Sequence, residues 1–426
     1  MLHKSRSAGL RGSGRVLLLG FAAGSLIYAY LCVQTFRAVR FADQGNEEGF
    51  QRAALRLAPG NSDYWQQLGV VELYRKNQPE LALADFHRAL ESNPAEADAW
   101  IQTAYALHFL NRVDESRDAI SHAIAVAPAR PEIRWRAANL YAQLGDQQQL
   151  RTNLSWLFAE DSTRADAALQ LAWRAIGDAP SIAQLFPRQS EIYAKFARLL
   201  ANSNHATDAV SVWQKMLEKT GAVADGLELV DDFLVQRDFN SAQQVWASLL
   251  EHDPRLQPYA PIAPNVLSDA SFALPLLNRG LGWRRLDGQQ LEINQDTSNQ
   301  PAGLRIHWNA QTTVAALEQI VTVQPSRWYD FSFSARSAEF SGANGPLITL
   351  QDVPSGKVLF RSSDLREFPE WTSQQARVQT IGKFIAVRVV RDAPTPMRGT
   401  LWLRNFALKP QTISSQSIPQ FPEPPR

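Results

Sequence analysis

The sequence predicts a multidomain chain in three parts: a single N-terminal transmembrane helix, an all-α solenoid of helical repeats, and a C-terminal all-β jelly-roll sandwich. Three observations carry this. Residues 16–33 form an uncharged apolar run. Tryptophans and prolines then recur at intervals of 34 or 35 residues. From about Pro261 the apolar pattern changes from a helical period to alternation. At 426 residues the chain exceeds one ordinary core, which agrees with several domains. The net charge of +1 gives no attraction to nucleic acid, so none is expected as a partner.

The apolar run VLLLGFAAGSLIYAYLCV has 18 residues. As a helix it reaches about 27 Å, enough for a hydrocarbon core. A cleaved signal peptide would have an apolar region of about 7–15 residues ending in a small-x-small site. Here Phe36, Arg37 and Arg40 occupy the places where such a site would lie. The segment therefore reads as an uncleaved signal anchor over residues 16–36, preceded by a cytoplasmic tail, residues 1–15. Lys4, Arg6, Arg11 and Arg15 precede the span, and Arg37 and Arg40 follow it. That bias places the N-terminus in the cytoplasm and, in a bacterium, the body of the chain in the periplasm at the inner membrane. Cys32 is the only cysteine. No disulfide can form within the chain, and no cysteine-based metal site can be built. Bulky Tyr30 and Leu31 before Cys32 depart from a lipoprotein signal.

The next segment repeats itself. Trp65, Trp100 and Trp135 are spaced 35 and 35 residues apart, and Pro59, Pro94 and Pro128 are spaced 35 and 34. Each proline closes an A-(L/I)-x-x-x-P element: A-L-R-L-A-P, A-L-E-S-N-P and A-I-A-V-A-P. With W-Q-Q-L-G at 65–69, the pattern resembles the tetratricopeptide repeat (TPR), a helix–turn–helix unit of about 34 residues. The third unit, W-R-A-A-N-L-Y at 135–141, lacks the glycine. The resemblance implies a tryptophan on each first helix between the paired helices. It also implies a small alanine on the second helix and a proline that stops it. Beyond Gly145 the motif decays, yet 164–176, 189–202, 206–218, 225–236 and 240–252 read as amphipathic helices. Trp213 and Trp246, 33 residues apart, extend the repeats over 42–254. Such arrays bind proteins along the face of their first helices. Counted from each tryptophan, that face holds Gln66, Val70, Ile101, Tyr105, His108, Phe109 and Arg136.

Residues 261–410 contain short alternating runs: L-R-I-H-W, L-E-Q-I-V-T-V, W-Y-D-F-S-F-S-A-R, L-I-T-L-Q, K-V-L-F-R, F-I-A-V-R-V-V-R and G-T-L-W-L-R-N-F. Several such strands without intervening helices predict a sandwich or jelly roll. Phe272, G-W at 282–283, G-L-R-I at 303–306 and Q-I-V-T-V-Q-P-S-R-W-Y-D-F-S-F-S-A-R at 319–336 follow one another in order. That order resembles the galactose-binding-like sandwiches used as carbohydrate-binding modules. Alternation turns Tyr329, Phe331, Phe333, Leu304, Ile306, Ile385, Val387, Val389, Leu401 and Leu403 inward. It leaves Arg305, His307, Arg336, Arg388 and Trp402 outward as candidates for binding a polysaccharide, by stacking or by pairing with a uronate. Related modules close with an aspartate that helps hold calcium. Arg404 and Asn405 stand there instead, so no metal is expected.

No phosphate-binding glycine loop, H-E-x-x-H or G-x-S-x-G is present, and the seven histidines are scattered. No catalytic residue or cofactor is expected. The proline- and serine-rich end, residues 411–426, reads as a disordered tail. The sequence thus favours a non-enzymatic scaffold of the cell envelope or of exopolysaccharide assembly. A purely protein-binding assembly factor is the alternative, and a hidden glycan hydrolase a third.

Overall fold

The computed structural model describes residues 9–43, 48–221, 223, 225–297 and 302–411, with side chains from residue 20 onward except at 42, 43 and 190. Of the tail expected at 411–426, residues 412–426 lie outside the described residues, as do the residues or side chains of Lys4, Arg6, Arg11 and Arg15. The chain divides into two compact units, Met1–Pro187 and Arg188–Arg426.

The first unit is all helix. α1 (Gly9–Asp43) is a single helix of 35 residues. It is followed by α2 (Glu48–Leu57), α3 (Ser62–Tyr74), α4 (Pro79–Ser92), α5 (Ala97–Phe109), α6 (Val113–Val126), α7 (Pro131–Gln143), α8 (Gln147–Glu160), α9 (Ala165–Ile176) and the short α10 (Ala179–Ala183). Local chemistry sets these limits. Asn61 and Asp146 accept hydrogen bonds from free N–H groups at the starts of α3 and α8. Pro79 and Pro131 occupy first helical turns, where a missing N–H costs nothing. Pro59, Pro94 and Pro128 each lie two residues past a helix end, as the repeat requires.

Among the described residues no helix is long and apolar enough to cross a membrane. Residues 16–19, the start of the expected span, lie outside the described side chains. The last turns of α1 do not stand apart from the repeats. Ala38 and Phe41 pack with Ala54, Leu55, Tyr64 and Leu68 of α2 and α3, so the helical array begins within α1.

The small residues fall where the sequence placed them. Ala54, Ala89 and Ala123 are completely buried. A Cβ on Gly69 would lie 2.5 Å from the Phe86 ring, so only glycine lets that ring cross. At the same repeat positions stand Ala104 with Ile120, and Ala138 with Leu154, all completely buried. Where the small residue gains a methyl, the facing side chain loses its ring, and packed volume is conserved.

The second unit contains α11 (Ser190–Asn202), α12 (Ala206–Thr220), α13 (Gly226–Val235) and α14 (Phe239–His252), then ten strands. They are β1 (Arg284–Arg285), β2 (Glu292–Asp296), β3 (Gly303–Gln311), β4 (Ala315–Thr322), β5 (Trp328–Ser341), β6 (Leu347–Asp352), β7 (Val358–Arg361), β8 (Thr372–Gln379), β9 (Phe384–Val390) and β10 (Met397–Pro410). Two five-stranded antiparallel sheets form a sandwich, in the orders β1-β4-β9-β6-β7 and β2-β3-β10-β5-β8. The sequence missed β1, β2 and β8. The strand β8 is a polar edge in which only Val378 is buried, so it carries little apolar signal.

Between the sheets lies one aromatic core that includes Phe272, Trp283, Trp308, Phe331, Phe333 and Phe406. The inward residues expected from alternation are all buried there. The last strand changes parity at a bulge between Arg404 and Ala407, where Asn405 has φ 54°. Beyond it Phe406 and Leu408 face inward in place of odd-numbered residues.

The last two helix pairs belong with the sandwich. Asp231 of α13 accepts from Arg279 Nε at 3.0 Å and from the Gly280 N–H at 2.9 Å. Phe239 of α14 meets Phe384 of β9 with ring centroids 5.7 Å apart. Ile320, Val321 and Thr322 of β4 line a cavity of about 340 Å³ with Trp246 and Leu250 of α14. These contacts bring helices against the outer side of the β4–β9 sheet.

Candidate functional site

Two surfaces bear the candidate residues. The first is on the repeats, and its register depends on a pairing within each helix pair. Trp65 Nε1 donates to the Pro59 carbonyl at 2.8 Å, and Trp100 Nε1 to that of Pro94 at 2.9 Å. In the third repeat the donor is Arg134 Nε, to the Pro128 carbonyl at 3.1 Å. Each of these side chains meets one partner on the second helix. Arg88 lies 4.7 Å over Trp65, His122 stacks on Trp100 at 4.7 Å, and Arg134 lies 5.3 Å over Trp156. Residues 88, 122 and 156 share one repeat position. The third repeat therefore keeps the cation–ring contact with its two ends exchanged.

This corrects the third repeat. Trp135 is not the counterpart of Trp65 and Trp100; Arg134 is. The position matching Gln66 and Ile101 is then Trp135, and Arg136 lies one residue further on. Arg136 still reaches the neighbouring first helix. It bonds Asp98 at 2.9 Å and lies 5.7 Å from the Tyr105 ring. Arg130 also bonds Asp98. Ile101 is completely buried, because the first helix turns it into the repeat core, so it leaves the candidate surface. Gln66, Val70, Tyr105 and His108 are half-buried. Phe109 is 54% exposed and meets Tyr74, itself 51% exposed, edge-on at 6.4 Å. The Tyr74 hydroxyl donates to Gln102 at 3.1 Å, which fixes the ring across α3 and α5. Tyr74 and Trp135 were missed. The proline spacing of 34 held the signal for Trp135.

The second surface is the outer face of the β2-β3-β10-β5-β8 sheet. Cross-strand pairing sets Asn294, Arg305, Trp402 and Arg336 in one row. Arg404 and Ser334 pair in the next row, and Ser334 bonds Ser373 at 2.9 Å. Arg336 lies 4.5 Å over Trp402 and 5.5 Å from Trp371, and Arg404 lies 3.7 Å over Trp371. Rings and guanidinium groups thus alternate in a ladder: Trp402, Arg336, Trp371, Arg404. Further along, Asp330, Ser332, Gln375, Arg377 and Lys409 line a concavity of about 670 Å³. His307 Nδ1 lies 2.9 Å from Thr400 Oγ1, and Arg305 is 3.8 Å from Glu292.

Arg388 does not join them. It lies on β9 of the other sheet, where Glu318 accepts from its Nε at 2.6 Å. Alternation assigns a residue to the inside or outside but not to one of two sheets, and that is why Arg388 was grouped wrongly. Trp371 was missed because it leads into the unrecognised β8. Among the described residues no group of three or more His, Cys, Asp or Glu side chains could hold a metal ion.

No family model matches the sequence. An uncharacterized protein of Methanocaldococcus jannaschii is 38% identical over 65 residues, which are 15% of this chain and 74% of that protein. Over that stretch the chain belongs to the same family. Similar solved structures include a tetratricopeptide repeat protein from Parabacteroides merdae, 17% identical, with 53% of this chain and 94% of that one covered and a TM-score of 0.31. The pilF protein of Pseudomonas aeruginosa is 18% identical over 53% of this chain and 92% of that one, with a TM-score of 0.27. A structure described as CBM4 is 10% identical over 34% of this chain and 99% of that one, with a TM-score of 0.26. At these values the fold rests on the chain's own helix pairs and sheets. They form a TPR-like all-α region and a two-sheet antiparallel sandwich.

Proposed function

We propose that the chain is a non-catalytic, membrane-anchored scaffold that docks a protein partner on its repeats and contacts glycan through its sandwich. The observation that carries this reading is the exposed aromatic pair Tyr74–Phe109, with Tyr105 and Arg136 in contact on adjoining first helices. Large rings held in place by their neighbours, with an arginine beside them, have the composition of an interface hot spot. The outward Trp402 among arginines is the corresponding feature on the sandwich. Assembly of a cell envelope or exopolysaccharide is the setting that would use both.

The anchor is residues 16–36, at a bacterial inner membrane, with the N-terminus cytoplasmic. Phe21, Leu26, Ile27, Tyr28, Leu31 and Val33 of α1 are each more than half exposed. Apolar side chains on every side of one helix suit lipid better than water. Leu26→Asp is expected to move the chain from the alkali-resistant membrane pellet to the supernatant, because a central aspartate costs about 2.5–3.5 kcal/mol on insertion scales. A variant still resistant to alkali would remove the anchor from this reading.

The docking surface is tested by photo-crosslinking in cells from a benzophenone side chain at position 74 or 109. A discrete partner adduct is expected, and Arg136→Ala should weaken it at least about tenfold if this is a hot-spot residue. Equal crosslinking from exposed Val235, on α13 of the other unit, would mean that the aromatic face is not selective.

A further inference from the structure

We infer that the glycan contacted by the sandwich is an acidic polysaccharide, one bearing uronate or sulfate groups, held by Arg336 and Arg404. The inference rests on the glycan reading above and adds its chemical class. A neutral sugar binds an aromatic platform by laying its ring on an open indole face. Here guanidinium groups already cover the platform: Arg336 lies on Trp402, and both Arg336 and Arg404 lie on Trp371. The groups offered to a ligand are thus cationic forks backed by rings rather than bare rings.

Those forks are also uncommitted. Among the described residues no carboxylate lies within ion-pairing distance of Arg336 or Arg404, whereas Arg388 on the other sheet is neutralised by Glu318 at 2.6 Å. The Nε of Arg404 is buried and makes no hydrogen bond. A buried N–H left without a partner is unfavourable, so the Arg404 fork gains when an arriving oxygen anion reaches it. The rings hold both guanidinium planes in place beforehand, which lowers the entropy lost when a planar carboxylate or sulfate is gripped. Arg305, 3.8 Å from Glu292, and Lys409, opposite Asp330, stand beyond the two ends of the ladder, so the unneutralised charge is concentrated on Arg336 and Arg404. A chain of repeated anions can meet both guanidinium groups at once, which a single small anion does less well.

The test is binding of the full-length chain, in detergent micelles, to alginate, to dextran of similar length, and to poly-glutamate. Alginate is expected to bind with an affinity that falls as salt rises, and to bind at least tenfold more tightly than dextran or poly-glutamate. Arg404→Gln and Arg336→Gln should each weaken alginate binding at least tenfold, and Arg404→Lys should recover part of that loss. Near-ultraviolet circular dichroism of each variant reports whether the sandwich stays folded. Dextran bound as tightly as alginate would overturn the acidic class and leave the glycan reading standing. Poly-glutamate bound equally would show a general polyanion surface and overturn the polysaccharide occupant. Folded glutamine variants with unchanged binding would show that the ladder is purely structural. If neither polysaccharide binds, the glycan reading falls as well.

Discussion

Phe406→Ala is expected to cost the second unit about 3–5 kcal/mol, the range for removing a large ring from a packed core. Phe406 is 2% exposed and meets four other rings of the aromatic cluster. Its ring stacks on Phe333 at 5.5 Å and meets Phe272 edge-on at 5.7 Å and Trp283 at 5.5 Å, with Phe331 at 6.3 Å. It draws on both the loop that opens the sandwich and the strands that close it. Main-chain bonds tie it in as well: the Phe406 N–H donates to the Ala270 carbonyl at 3.0 Å, and Asn265 Nδ2 donates to the Phe406 carbonyl at 3.0 Å. Neighbours anchored in this way cannot collapse into the space left by the ring. For a unit of this size the loss should lower Tm by roughly 6–20 °C. With two units in the chain, calorimetry is expected to show separable transitions, of which only the sandwich transition moves. A shift below about 2 °C, or equal shifts in both transitions, would show that Phe406 is not central to this core.

The same residue shows how far the sequence could be read. Alternation placed Leu401 and Leu403 inside and Trp402 outside, and all three lie as expected. Beyond Arg404 that pattern fails, because a bulge at Asn405 adds one residue and exchanges the two faces. A bulge leaves no mark in apolar periodicity. Helices were legible because each buries a stripe, and the five expected between 164 and 252 lie within two residues of the observed limits. The third repeat was misread for a different reason. Trp135 is the conspicuous residue, yet the structural position is defined by a donor six residues past the proline, and arginine fills it as well as tryptophan does. Ile101 was assigned to the surface by counting from Trp100, although apolar character alone argued for the core. On the sandwich, Trp402, Arg336 and Arg305 were found by alternation within their own strands, which turns each away from the core; that they stand side by side comes only from the strand pairing. Trp371 escaped notice because the strand it leads into is almost wholly polar. What sequence cannot supply is the pairing of groups from distant elements, such as Asp231 with Arg279 or Glu72 with Asp85.

That last pair gives the second large effect. Glu72→Gln is expected to stabilise the first unit by about 2–3 kcal/mol above pH 7 and to flatten its dependence on pH. Glu72 on α3 is 2% exposed and Asp85 on α4 is 5% exposed. Burial pushes the Glu72 carboxyl up to about 7, and the negative charge of Asp85 adds to the rise. Burial raises Asp85 as well. Arg52 of α2 opposes this at 3.2 Å from Glu72, but it is shared with Glu48. Lys76 is also taken by Glu48. Arg88 pairs with Asp85 at 3.2 Å, so Asp85 is the better placed of the two to stay charged, and Glu72 does best when it keeps its proton and donates it to Asp85. The folded value near 7 exceeds the unfolded value of 4.5, so the folded state holds the proton more tightly. Its stabilising contribution is complete below about pH 4.5 and is lost as pH rises through 7. Glutamine keeps an oxygen for Arg52 and presents a permanent N–H to Asp85, so nothing remains to titrate at that position. Melting of the wild type and Glu72→Gln between pH 5 and 8.5 should give curves that coincide at low pH and separate above neutrality. Parallel curves would mean that the two carboxyls do not share a proton. The site also adjoins the junction where the end of α1 packs on α2 and α3. Loss of the proton therefore weakens the pairing of α3 with α4, and α3 is one of the helices on which α1 rests.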